Sequence, residues 1–165
     1  NKTIELYKCI KFPGKWEIEM NLMDNISASD STLLFHDKKW WLFTSVNETG
    51  NETNNFNELF LYYSDDLFSK TWKSHSDNPI ITDIRSSRQA GRIFKYGDKI
   101  FRPAQDCSGR YGRAFNINRI SLLTTDEYQE NLVSVHAPDW DKKLKGMHTF
   151  NFNDEIIVVD AFKIS

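Results

Sequence analysis

Three stretches of this chain repeat one pattern, and that repeat limits its fold more than any other feature. Residues 32–44, 92–102 and 149–160 each carry an apolar run, a polar turn and a second run of β-branched or aromatic residues. The turns are Asp37-Lys38, Gly97-Asp98 and Asn153-Asp154. Such a pattern is the signature of a β-hairpin with a tight connection. Lys39, Lys99 and Glu155 hold matching places, so the hairpin recurs at intervals of about 60 residues, a spacing suited to propeller blades of four antiparallel strands. The intervals supply outer strands: Glu58 to Ser64 with Trp72 to His75, then Arg113 to Arg119 with Leu132 to His136. Ser121 to Tyr128 reads as a short helix or turn, with Thr125 as its cap. Ile4 to Lys8 and Trp16 to Leu22 read as two outer strands without an inner hairpin, and the polar stretch Asn47 to Asn57 as an exposed loop.

The fold class expected is therefore all-β: a fragment of a β-propeller, with outer strands of a preceding blade at 1–28, blades at 29–84 and 85–140, and the inner hairpin of a last blade at 141–165. Closure needs roughly 4–8 blades, so the chain is expected to be part of a larger ring or to share blades in an oligomer. Composition agrees with a packed core, since 14% of residues are aromatic and such rings bring large buried area. Lysine plus arginine number 21 against 23 acids, a net charge of −2, which argues against a nucleic-acid partner. No apolar run reaches the roughly 20 residues of a membrane helix, so no membrane insertion is expected, and the cytoplasm is the favoured compartment. Cys9 and Cys107 are expected as unpaired thiols with no metal-ligand spacing, and no metal or cofactor is expected.

Blade topology sorts the polar residues. Entries to the inner strands carry Ser29 to Ser31, Arg85 to Gln89 and Met147-His148; the exits carry Thr44-Ser45, Arg102 to Asp106 and Asp160. These groups should meet around a central funnel, where hydrogen-bonding side chains beside aromatics suit a polyol such as a sugar. Arg88, Arg92 and Arg102 have an alternative use in buried ion pairs with Asp83, Asp106 or Asp160. Of Trp40 and Trp41, at least one is expected in the core. Ser64 to Trp72 resembles the Asp-box hairpin of sialidases, with Phe68 in the place of a glycine; Asp66 and Trp72 are read as fold markers only.

Several strings point to one family: Ser31 to Thr44, Asn78-Pro79, Arg88 to Arg92, Phe101 to Ser108, Tyr111-Gly112 and Gly146 to Thr149. They resemble the N-terminal domain of plant glucosamine inositolphosphorylceramide transferases, also found in bacterial proteins beside formyltransferase-like domains. The resemblance implies a five-bladed propeller related at fold level to glycoside hydrolases of families 43, 32 and 68, of which this chain would be the C-terminal part. Glycoside cleavage uses two carboxyl groups. The candidates for chemistry are Asp30 and Asp106; those for substrate contact are Arg88, Arg102, Gln105, Tyr111 and His148. The leading expectation is a carbohydrate-binding or carbohydrate-processing domain, partnered by a glycoconjugate and by the remaining blades or a fused transferase domain. The other is a non-catalytic scaffold for such a transferase, in which Arg and Asp side chains saturate one another and leave no open pocket.

Overall fold

A computed structural model describes residues 2–47, 57–153 and 155–163. Fourteen strands and no helix are found among them, so the all-β expectation holds. They form four antiparallel sheets. The first pairs β1 (Thr3–Lys11) with β2 (Lys15–Asp24). The second runs β3 (Ala28–His36), β4 (Lys39–Val46), β5 (Glu58–Ser64) and β6 (Lys73–Ser74), with β7 (Ile81–Thr82) also on β5. The third orders β12 (Tyr128–His136), β11 (Ala114–Leu123), β10 (Lys99–Asp106) and β8 (Arg88–Gln89), with β9 (Phe94–Tyr96) also on β10. The fourth pairs β13 (Phe150–Phe152) with β14 (Ile157–Val159).

The run Trp40 to Phe43 is apolar without alternation because β4 is covered on both faces. Leu42 packs with Ile4 and Leu22 of the first sheet, while Trp41 and Phe43 join Leu59, Leu61, Ile93, Ile100 and Ile120 between the second and third sheets. Trp41 is 2% exposed, and its indole N–H donates to the His36 carbonyl. A third apolar layer, with Ala90, Phe115, Ile117 and Met147, sits beneath Phe150 of the fourth sheet. Each sheet therefore contacts the next in chain order through its own apolar layer.

The hairpins form where the repeat puts them, with one difference in the third. Asp37 and Lys38 both take positive φ, 48° and 59°, the pairing that a two-residue turn needs to follow strand twist. Gly97 holds the equivalent left-handed position at φ 61°. In the third hairpin Phe152 pairs with Ile157, so the connection is longer than Asn153-Asp154. The Asn153 side-chain oxygen accepts from the amides of Glu155 and Ile156, which lengthens the turn; Asp154 lies outside the described residues. Most of the loop expected at 47–57 lies outside them too.

Two local expectations are corrected. Of the short helix or turn expected at Ser121 to Tyr128, the turn forms: β11 continues to Leu123, and the chain reverses through Thr124, whose hydroxyl accepts from the Asp126 and Glu127 amides. Thr124 rather than Thr125 is the capping residue. The apolar run expected from Arg92 pairs only from Phe94, as β9, and a separate short strand, β8, forms at Arg88–Gln89 in the expected entry. Between them Gly91 takes φ 130°, and a Cβ there would lie 2.1 Å from the Phe150 carbonyl oxygen. Only glycine allows that approach. The neighbouring bonds, Phe150 N–H to the Ala90 carbonyl and Arg92 N–H to Asn151 Oδ1, stitch the fourth sheet to the third.

Candidate functional site

Asp30 owes its position to an irregularity in β3. Ser29 pairs with Ser45, yet Thr32 pairs with Phe43, so β3 carries one residue more than β4 over this interval. A β-bulge of this kind re-aims a side chain. Asp30 sits in it at φ 54°, a conformation costing about 1–2 kcal/mol for a residue with a Cβ. Its carboxylate lies 2.6 Å from Arg88 Nη2 and accepts from Arg88 Nε at 2.7 Å and from Gln105 Nε2 at 3.1 Å. Gln105 in turn donates to the Gln89 carbonyl at 2.7 Å, linking the second and third sheets through their polar ends.

An open cleft of about 250 Å³ lies over this network, lined by Asp30, Thr32, Gln89, Gln105, Tyr111 and His148 among others. The Arg88 guanidinium stands 5.0 Å from the centre of the Tyr111 ring, and the His148 ring meets that ring edge-on at 5.2 Å. His148 turns Nδ1 to the Asp160 carboxylate, while Asp160 Oδ1 accepts from the amides of His148 and Thr149. Asp160 therefore fixes the imidazole, and Nε2 has no hydrogen-bond partner among the described residues. Burial pushes the Tyr111 phenol up from its ordinary range, so it stays a neutral donor at physiological pH.

The seven expected site residues divide into two sets. Asp30, Arg88, Gln105, Tyr111 and His148 come together at the cleft. Arg102 and Asp106 lie elsewhere, because successive side chains of a strand point to opposite faces. Gln105 faces Asp30, so Asp106 and Arg102 take the other side of β10. The Arg102 side chain is wholly enclosed and pairs with Glu130 at 2.6 Å. It also donates to the Ser86 carbonyl and hydroxyl, and Tyr128 donates to Glu130 at 2.6 Å. Burial acts to raise the Glu130 carboxyl, but Arg102, Tyr128 and Ser86 outweigh it and hold it below its ordinary value. Asp106 accepts from the Ser108 amide and hydroxyl and from Arg113 Nη1 at 3.0 Å.

The ion pairs expected for Arg88 and Arg102 exist with other acids, Asp30 and Glu130. Asp83 instead takes Arg85, Asp106 takes Arg113 and Asp160 takes His148. Glu130 is the partner that the sequence does not single out, and Asp160, named there as a partner for arginine, serves His148 instead. Glu130 falls two residues after Tyr128 on β12, and that same-face spacing was the available signal. The two cysteines are unpaired, Cys9 exposed and Cys107 buried. In the Asp-box-like turn Asp66 accepts from the Phe68 amide and Trp72 packs in the first apolar layer, as expected of a structural hairpin.

Chain-order stacking of antiparallel sheets, with a polar cleft where their ends meet, defines an all-β domain. Its relatives make the class specific. The family described as "Glucosamine inositolphosphorylceramide transferase 1, N-terminal" matches residues 1–158, and the chain belongs to that family. It is 37% identical over 153 residues to the glucosamine inositolphosphorylceramide transferase 1 of Oryza sativa subsp. japonica, covering 91% of this chain and 20% of that protein. With the Arabidopsis thaliana protein of the same name it shares 33% over 151 residues, covering 90% of the chain and 19% of the relative. The chain thus spans about a fifth of these relatives, which are plant proteins.

Proposed function

We propose that this chain is a supporting module of a transferase: a stack of propeller blades that holds a fused or partner transferase domain and performs no bond-breaking itself. The observation that carries this reading is the use made of its buried ions. Arg102 and Glu130 are consumed by each other and by Ser86 and Tyr128, and Asp106 by Ser108 and Arg113. These pairs spend their hydrogen-bonding capacity inside the third sheet. The relatives are named glucosamine inositolphosphorylceramide transferase 1, and this chain matches about a fifth of their length, which leaves room for a separate transferase domain in such a protein. The blades are assigned to 29–84 and 85–140, with 1–28 and 141–165 contributing to neighbours, in a five-bladed ring of the glycoside hydrolase family 43 type.

The test is Arg102→Met in the full-length protein. Transfer should be lost in step with unfolding of this module, read by circular dichroism beside product formation. An unfolded module with undiminished transfer would sink the support reading.

A second reading rests on the open cleft, which departs from the scaffold expectation that no open pocket remains. Asp30, Gln105, Tyr111 and His148 offer a carboxylate, an amide, a phenol and an imidazole to one open space, a set suited to the hydroxyls of a carbohydrate. Under this reading the module also holds a glycan. Asp30 is its one carboxylate with a place at the cleft among the two proposed for chemistry, and hydrolysis of the two-carboxyl type would need a second acid from outside the chain.

A further inference from the structure

The hairpin turns of the repeat lie at the end of the stack opposite the polar cleft, and a second hollow opens there. It has a volume of about 590 Å³, and its lining comes from β3, β9 and β13, the first strands of the three hairpins, with Trp40 of β4. Phe35 and Trp40, with ring centres 5.1 Å apart, form one wall. Phe94 and Phe152, edge-on at 4.9 Å, form the other. Phe35 is 52% exposed and Phe152 39%, so apolar rings face water across a gap, as at an interaction surface. Arg92 and Lys95 line the same hollow, and among the described residues no carboxylate does. The Arg92 amide donates to Asn151, but its guanidinium has neither an ion pair nor a hydrogen bond among the described residues. Lys95 reaches the Phe35 carbonyl, at 3.5 Å.

The hollow also carries open backbone. β3 ends its sheet, and β9 pairs with β10 alone. The tight Asp37-Lys38 turn closes His36 on Lys39, so the alternating ladder turns the N–H and C=O groups of Leu33 and Phe35 away from β4. The bond from Lys95 to the Phe35 carbonyl shows that direction. An exposed strand edge of this kind is complemented by a second extended backbone.

We propose that this hollow is where the module holds its transferase domain, and that the element held is an extended acidic peptide segment with an aromatic or aliphatic anchor. The inference rests on the support reading above. The anchor enters between the two aromatic walls, flanking carboxylates meet Arg92 and Lys95, and the backbone adds to the free edge of β3. Acidic charge follows from the lining, which is cationic and supplies no counter-ion of its own. This chain matches about a fifth of its relatives' length, so such a protein has chain to spare for the segment. Docking at this end leaves the polar cleft open.

Photocrosslinking in the full-length protein tests this. p-Benzoylphenylalanine replaces Phe152 in one variant and Phe35 in another; both rings are exposed, so the fold is spared. Mass spectrometry should place the links from both positions in one segment of the transferase domain or its linker, flanked by Asp or Glu. Arg92→Glu with Lys95→Glu should cut the yield about tenfold, the order expected when hydrogen bonds to charged groups are lost, at an unchanged melting temperature. Lys99→Glu reverses an exposed charge at the start of β10 and should leave the yield unchanged. A link to a segment without acids, or a yield that survives the double reversal, overturns the proposal. So does a link to a second copy or to a strand of another blade, which names a different occupant. No link from either position overturns it too. In that case transfer lost with Arg102→Met leaves the support reading standing, and transfer that persists with the module unfolded overturns both.

Discussion

Arg102 shows how far one side chain can be committed to structure. Removing one partner of a buried ion pair strands the other, at about 3–5 kcal/mol. Arg102→Met should lower stability by that order in urea unfolding, and the double change Arg102→Met with Glu130→Leu should recover most of it, since an apolar pair has no charge to desolvate. The pair also sets a pH dependence. Glu130 is held below its ordinary value of 4.5, so the unfolded chain binds its proton first. Its stabilising contribution is complete above pH 4.5 and is lost as pH falls through the lower folded value. Urea midpoints should drop on acidification in the wild type and drop less in Glu130→Gln; equal slopes would contradict the assignment. The thiols give a separate check. Cys9 is exposed, while Cys107 is buried with its thiol held protonated. Alkylation read by mass spectrometry should modify Cys9 rapidly and Cys107 only on unfolding.

At the scale of elements, turn chemistry carries a prediction of gain. Lys38 occupies a left-handed position at φ 59° that costs a side-chain-bearing residue about 1–2 kcal/mol. Lys38→Gly should therefore raise the melting temperature, and no rise would mean that strand pairing alone sets the turn. The same elements show what the sequence made legible. Hairpin periodicity gave strands β3, β4, β10, β13 and β14, because apolar runs around a polar turn are a local signal. The placing of strand entries and exits at one mouth also gave the cluster of Asp30, Arg88, Gln105 and His148, while Tyr111 came only with the family resemblance. Arg102 and Asp106 fall outside it, because alternation along β10 turns them to the face opposite Gln105. The break between β8 and β9 is not legible in the sequence either. That break depends on Gly91 meeting the Phe150 carbonyl, a contact between residues far apart in the chain. The bulge at Asp30 belongs to the same class, since it is defined by register against β4.

For the whole molecule, the two-stranded sheets at either end are the informative parts. Phe12 is 80% exposed on the hairpin of the first sheet and Ile157 71% on β14. Neither sheet has a third strand among the described residues. Two-stranded hairpins are marginal in water, so the propeller proposal expects both to be completed by strands from elsewhere in the larger protein. Amides along β14 should exchange quickly in this chain alone and slowly in the full-length protein. Equal rates in both would contradict shared blades. The stack between them needs no such help, because the second and third sheets bury one continuous apolar layer.

A module that supports transfer without supplying its chemistry should tolerate loss of its own candidate carboxylates. Product formation by the full-length protein carrying Asp30→Asn or Asp106→Asn measures it directly. The account predicts turnover within about twofold of wild type in both variants, a change of less than roughly 0.5 kcal/mol in the barrier, with any effect of Asp30→Asn confined to glycan binding. A loss of about a hundredfold in either folded variant, read beside an unchanged melting temperature, would contradict it.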